Sequence, residues 1–374
     1  MSESAGKLVV LVTYHYWGSQ RRAGFHGLAS GFRQRGWRVV MLTTGLSPLS
    51  ALRGNYRAAA VPRAERNRLV WPEPGLGSFV WYTPFHPGGL GHDALDLVSS
   101  PLFALYPKLP LQGAEEFLTA ADLVVFESCC GIMLFDRVKR LNPAARLVYR
   151  VSDDMRWLKL HRVCQRAETR AAARFDLIST PSPAIRDKFA PVPALFHAHG
   201  IDKPLFAAAT ASPYEPGTVN AVFIGAGNLD VETLALAAAL FPAWRFHVIG
   251  PLARLPVRDN ITGYGEMPYQ RTIPYLKFAD IGLNLLNHSP FVEGNTENFK
   301  TMQYSYCRLP VVAPNFLANP RLAHILCYRP GDPDSLRSAL QAARDFDRNS
   351  IDTDKIASSA DLAGILAGEA AIAR

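Results

Sequence analysis

The feature that most constrains this chain is a series of short runs that are apolar throughout, rather than on alternate positions. KLVVLVTY (7–14), WRVVMLTT (37–44), ADLVVFES (121–128), ARLVYRVS (145–152), FDLIST (175–180) and PALFHAHG (193–200) recur along the first half. A strand that is apolar on both faces belongs in a parallel sheet covered by helices on each side. Helix-like segments at 21–36, 131–141 and 156–173 fall between the runs, giving the βα alternation of a doubly wound sheet. The second half repeats the pattern. Strands are expected at 220–227, 244–250, 261–267, 279–286 and 309–315, and helices at about 230–241, 268–278, 297–307 and 333–346. Pro268 suits a helix start, where its missing N–H has no partner to lose.

At 374 residues the chain exceeds one ordinary core, so two domains are expected. The Pro- and Ala-rich stretch 201–219 reads as their linker, dividing the chain into 1–203 and 204–374, with the last helix packing back on the first domain. The segment 45–75, rich in Arg, Gly and Pro, reads as an irregular excursion facing a membrane or an acceptor. Ligands of open α/β sheets bind at the carboxyl ends of the strands, so a cleft is expected where two such edges face each other.

Charge divides the same way. Residues 1–203 hold 26 Lys and Arg against 16 Asp and Glu, a balance of +10, whereas residues 204–374 hold 14 against 16. A basic half points to a polyanionic partner, such as an anionic membrane surface. No zinc module or aromatic-interleaved basic motif supports nucleic acid. No apolar run approaches the roughly 20 residues of a membrane span, and the N-terminal apolar stretch reads as a first strand rather than a signal peptide. The five cysteines, Cys129, Cys130, Cys164, Cys307 and Cys327, have no metal-ligand spacing and read as reduced cytosolic thiols.

Chemistry is sought at the strand ends. Gly225 and Gly227 follow the first strand of the second half, where small residues let a phosphate or sugar approach the backbone; a plain tight turn is the alternative. Glu266 and Met267 end another strand, and Glu266 suits a ribose or base edge, or the cap of the following helix. In ENFKTMQY (297–304), Phe299 and Lys300 lie in the first helical turn, with Gln303 on the face of Lys300. A lysine at a helix N-terminus suits a diphosphate. Asp332-Pro333-Asp334 spells a D-x-D metal motif but reads better as a helix cap, so no metal is expected. In the first half, Asp153 and Asp154 close a strand side by side. Ser-Asp-Asp before a helix is an ordinary cap signal, and spacing alone leaves open which carboxylate, if either, is a base.

These blocks resemble the bacterial membrane-associated glucuronosyltransferases of xanthan-type assembly. The resemblance runs through QRRAGFH (20–26), ADLVVFES, KRLNPAARLVYRVSD (139–153), FHAHGID (196–202), RFHVIG, YGEM, KTMQY and PGDPDS, in order and over nearly the whole chain. It implies a GT-B fold: two Rossmann-like domains, with acceptor on the first and nucleotide-sugar on the second. It further implies inverting, metal-independent transfer of glucuronic acid from a UDP-sugar to a lipid-diphosphate-linked oligosaccharide. The protein would be peripheral on the cytoplasmic face of the inner membrane and serve exopolysaccharide synthesis. Asp153 falls on the catalytic base, Glu266-Met267 and Lys300 with Gln303 on donor contacts. Gly227 and Leu286 replace a methionine and a tyrosine of the family. Glu127, ending the preceding strand, is the second candidate base, and Arg21, Arg22 and His26 are candidates for the acceptor side or a donor carboxylate. Two other readings fit the same scaffold: a UDP-sugar epimerase or hydrolase, and a non-catalytic polyanion or membrane binder.

Overall fold

The computed structural model describes residues 6–52, 54–225, 227–252, 254–289, 292 and 296–369. The chain divides into two compact units, Met1–Ala198 with Ser359–Arg374, and His199–Ser358. The division falls a few residues before the anticipated 203, and the chain crosses back at 358.

The first unit is built on eight strands: β1 (Leu8–Thr13), β2 (Arg38–Leu46), β3 (Leu69–Glu73), β4 (Leu76–Tyr82), β5 (Leu123–Glu127), β6 (Arg146–Arg150), β7 (Leu177–Thr180) and β8 (Leu195–Phe196). Their order is β3-β4-β2-β1-β5-β6-β7-β8, parallel throughout except for β3. Val10 lies opposite Val40 on one side and Val124 on the other. Successive residues feed two separate cores. Val10, Val12, Val124 and Phe126 pack with Trp81, Tyr106 and Phe117. Val9, Leu11, Leu123 and Val125 pack with Phe25, Phe32 and Leu366. Both faces are therefore buried, which is why these runs do not alternate.

The closing helix Ser359–Ala367 packs on the helix Gly24–Gln34. The approach is so close that a β-carbon at Gly31 would collide with the Ser359 carbonyl oxygen. Arg35 Nε and Trp37 Nε1 donate to the Glu369 carboxylate at 3.0 and 3.1 Å, fixing the end of this segment to the first sheet.

Several expectations need correction. The segment 45–75 is not irregular: it holds helices Pro48–Leu52 and Tyr56–Ala60 and the strand β3. β3 and β4 form a hairpin whose turn uses Gly75 at φ +74°. The helix expected at 156–173 begins at Arg162, after turns over 154–160, and the 131–141 segment opens as a 3₁₀ turn before the helix Phe135–Leu141. The run 193–200 contributes only the two residues of β8. An unanticipated helix, Asp93–Phe103, follows β4.

The second unit carries six parallel strands: β9 (Asn220–Ile224), β10 (Arg245–Ile249), β11 (Ile261–Gly265), β12 (Ile281–Leu283), β13 (Val311–Pro314) and β14 (Ile325–Tyr328), of which β14 was not anticipated. Their order is β11-β10-β9-β12-β13-β14, so the winding reverses between β9 and β12. There the two strands pair over only two positions. The buried Tyr304 hydroxyl takes over, accepting from Ile224 N (3.2 Å) and lying within hydrogen-bond distance of the Val222 and Leu283 carbonyls at 3.1 and 3.2 Å. Gly282 is required beneath it, because a β-carbon would sit 2.8 Å from the Tyr304 ring. One tyrosine thus seats the helix Phe299–Tyr306 at the switch point.

Candidate active site

In the first unit the winding reverses between β1 and β5, and the carboxyl ends of β1, β5 and β6 meet there. Glu127 ends β5 and is 1% exposed. Its carboxylate accepts from Thr13 Oγ1 and from Ser152 Oγ (2.8 Å), and His15 Nε2 lies 3.4 Å away. Burial works to raise this carboxyl, but the His15 ring and the hydrogen bonds of His15, Thr13 and Ser152 outweigh it, and the net direction is down. Glu127 is therefore a fixed negative charge.

The neighbouring Ser128 Oγ accepts the backbone N–H groups of Ser152 and Asp153, both at 3.0 Å. This clamp sets the position of Asp153, which is half-buried and accepts no side-chain hydrogen bond among the described residues. Burial pushes its carboxyl from 3.8 up to about 6; Glu127 adds to the rise and His15 opposes it. The two adjacent aspartates are thereby separated in role. Asp154 is tied to Arg156 (2.8 Å) and Lys188 (2.9 Å), and accepts from Arg156 N. Burial raises it, but those partners prevail and it stays ionised. Asp154 stabilises the loop; it does not cap the next helix, whose cap is His161.

The other first-half candidates are placed as follows. The guanidinium of Arg21 lies 3.8 Å over the Tyr56 ring, and that of Arg22 lies 4.2 Å over Trp17. His26 is buried with Nδ1 accepting from Ala23 N (3.1 Å) and Nε2 3.0 Å from the Tyr16 carbonyl. Burial pushes this ring well below its ordinary value, so it is a neutral helix-start residue with both nitrogens engaged.

In the second unit Lys300 Nζ sits 4.2 Å over the Phe223 ring, and a β-carbon at Gly225 would lie 3.8 Å from it. Among the described residues no carboxylate pairs with this ammonium. Burial lowers it from 10.5 to about 7. It occupies the first turn of the helix capped by Asn298, whose side chain accepts from Thr301 N at 3.0 Å. A β-carbon at Gly227 would meet open space. A desolvated cation beside Gly225 at a helix N-terminus is a place for a bound anion. Phe299 stacks edge-on to His199 at 5.8 Å. Gln303 is buried and donates to the Tyr269 hydroxyl, which pins its helix to the helix Tyr269–Phe278. Glu266 is exposed and Met267 half-buried at the end of β11. Most of the loop 290–295 lies outside the described residues. Asp332 is the cap of the helix Pro333–Arg344, accepting from Ser335 N at 2.9 Å and pairing with Arg329.

Sequence reasoning passed over Thr13, His15, Ser128 and Tyr304. The first three share one signal: each lies at or just past the end of a strand flanking the reversal of winding.

Two Rossmann-like units with parallel sheets make the GT-B fold of solved glycosyltransferases. The fold matches OtsA trehalose-6-phosphate synthase, at TM-score 0.57 and 12% identity over 97% of this chain and 96% of that one. It equally matches Anabaena Alr3699/HepE in complex with UDP and glucose, at TM-score 0.57 and 13% identity over 97% and 95%. Residues 11–181 match the family described as "Glucuronosyltransferase GumK, N-terminal domain". The UDP-glucuronate:glycolipid 2-beta-glucuronosyltransferase of Xanthomonas campestris pv. campestris is 30% identical over 348 residues, 91% of this chain and 84% of that protein. The chain belongs to this glucuronosyltransferase family.

Proposed function

We propose that this protein transfers a glucuronyl residue from UDP to a hydroxyl of a lipid-diphosphate-linked oligosaccharide, with inversion and without a metal ion. The observation that carries the reading is Asp153, a clamped carboxyl held near neutrality at the switch point of the first sheet. Such a group takes the acceptor hydroxyl proton as that oxygen attacks the sugar carbon on the face opposite UDP. Lys300 and the N–H groups at the start of its helix meet the charge growing on the departing diphosphate. Asp332 is committed to its helix cap, so the lysine, not a D-x-D-bound cation, is assigned the phosphate charge. The named activity of the 30% identical relative supports the donor and a glycolipid acceptor.

The membrane side of the reading rests on the helix Asp93–Phe103. Leu95, Leu97, Val98 and Leu102, with Leu105 beyond its end, are exposed, Val98 to 81%. An exposed apolar stripe on a basic unit suits peripheral attachment to an anionic surface, here the cytoplasmic face of the inner membrane during exopolysaccharide synthesis. Among the described residues no helix is long and apolar enough to cross a membrane.

The test is Asp153→Ala, with glucuronyl transfer and UDP binding measured together. Transfer is expected to collapse while UDP still binds. Lost UDP binding with unchanged turnover per bound complex removes Asp153 as the base. Free sugar released from the donor without any acceptor shifts the assignment to a hydrolase. Val98→Glu is expected to weaken sedimentation with anionic vesicles.

A further inference from the structure

The first unit contains a cavity of about 390 Å³ at the carboxyl ends of its strands. Its walls come from separate segments: Tyr14 after β1, Arg57 in the helix Tyr56–Ala60, Ser128 after β5, and Leu158 to Leu160 in the turns after Asp153. Ser128 is the residue whose hydroxyl clamps the Asp153 backbone, so the cavity adjoins the base. Among the described residues lining it, Arg57 and Lys159 are cationic and none is acidic.

Arg57 is set for a ligand. Its guanidinium stacks 4.4 Å from the Tyr14 ring centre, and Nη1 donates to the Tyr14 carbonyl at 3.1 Å. Its Nε is buried and has no hydrogen-bond partner among the described residues. A buried guanidinium N–H left unpaired is costly, and an anion would satisfy it. Lys159 is exposed, but its backbone is fixed, because its carbonyl accepts Gly89 N at 3.0 Å. Gly88 also bridges to Leu160, and Leu90 N donates to Asp96 Oδ1 at 3.2 Å. The cavity wall is thus continuous with the exposed apolar helix Asp93–Phe103.

We propose that this cavity binds the diphosphate of the lipid-linked acceptor, with Arg57 and Lys159 as its two cations and the lipid chain leading toward the apolar helix. Two cations from different segments fit a multiply charged phosphate ester, and Arg supplies the forked donors that hold it. The inference rests on the acceptor reading above and gives it a location.

The test is equilibrium binding to the full chain of farnesyl diphosphate, inorganic pyrophosphate and farnesol. Farnesyl diphosphate is expected to bind, and farnesol to bind far more weakly. With UDP saturating the Lys300 site, Lys159→Gln and Arg57→Gln are each expected to weaken farnesyl diphosphate about tenfold or more. Pyrophosphate that binds with the same dependence on Arg57 and Lys159 marks a site for the diphosphate itself. Pyrophosphate that fails to bind, while farnesyl diphosphate does, marks one needing the lipid; both support the proposal. Equal binding of farnesol, loss of farnesyl diphosphate binding once UDP is saturating, or parental affinity in Lys159→Gln overturns it. The Lys159 variant decides even if Arg57→Gln fails to fold. Because the readout is binding, a negative result leaves sugar transfer from UDP standing, and failed transfer leaves the diphosphate site standing.

Discussion

Replacing Asp153 by Asn is expected to abolish turnover and to make the protein more stable. Asparagine keeps the shape of the side chain and the N–H donated to Ser128. It removes a charge that the folded chain holds at a cost, since the carboxyl sits at about 6 instead of 3.8. A gap of about two pH units corresponds to about 3 kcal/mol at 1.36 kcal/mol each, as an upper bound for a half-buried group. The sign is set by proton binding. Between pH 3.8 and about 6 the folded chain holds a proton that the unfolded chain has lost, so the Asp153 contribution to stability falls as pH rises through that window. The gain from Asp153→Asn is therefore full at pH 8, about half at pH 5 and mostly gone at pH 4. Differential scanning calorimetry at these pH values checks it, at about 2–4 °C per kcal/mol for a unit of this size. Transfer assayed alongside should fall by about 10²–10⁴-fold. A variant that melts lower at pH 8, or by the same increment at pH 4 and 8, refutes the idea that the fold holds this carboxyl near neutrality.

Glu127→Gln removes the fixed negative charge near Asp153. The acid limb of the kcat/KM profile, expected near pH 6, should move to lower pH with UDP binding intact; a limb that stays in place excludes Glu127 as a tuning charge. Lys300, at about 7 without an anion, should return toward its ordinary range when a diphosphate binds. UDP binding at pH 8 should then take up a proton, visible as a dependence of calorimetric heat on buffer ionisation enthalpy, and affinity should fall as pH rises above 7. Gly31→Ala drives a methyl against the Ser359 carbonyl and should cost about 1–3 kcal/mol, read by urea unfolding. Parental stability there would mean that the closing helix does not dock on the helix Gly24–Gln34.

The parallel sheets were legible because both their faces are buried. LVVLVT of β1 is buried at all six positions, and a segment with that pattern has few other places to go. β3 and the helix Asp93–Phe103 were hidden for the opposite reason. An edge strand and a surface helix leave much of their apolar surface uncovered, as Trp71 and Val98 do, so neither shows the contrast that marks a packed element. β14 (Ile325–Tyr328) is four residues long, too short for periodicity to separate from a loop. In the site, Asp153 and Lys300 were named from motif and resemblance. The surroundings of Asp153 were named only in Glu127, the second candidate base, because Thr13, His15 and Ser152 meet Glu127 through strand register, not through spacing along the chain.

The order of residues by itself determined a two-unit α/β chain with its candidate site at strand ends, since that outcome follows from local apolar patterning and from where strands stop. The tertiary structure alone decided which of two adjacent aspartates holds its proton more tightly. Asp154 meets Arg156 and Lys188, while Asp153 is clamped by Ser128 near the buried charge of Glu127. Proton affinity depends on burial and on charges a few ångströms away, and those neighbours are brought together only when strands distant in sequence line up in one sheet.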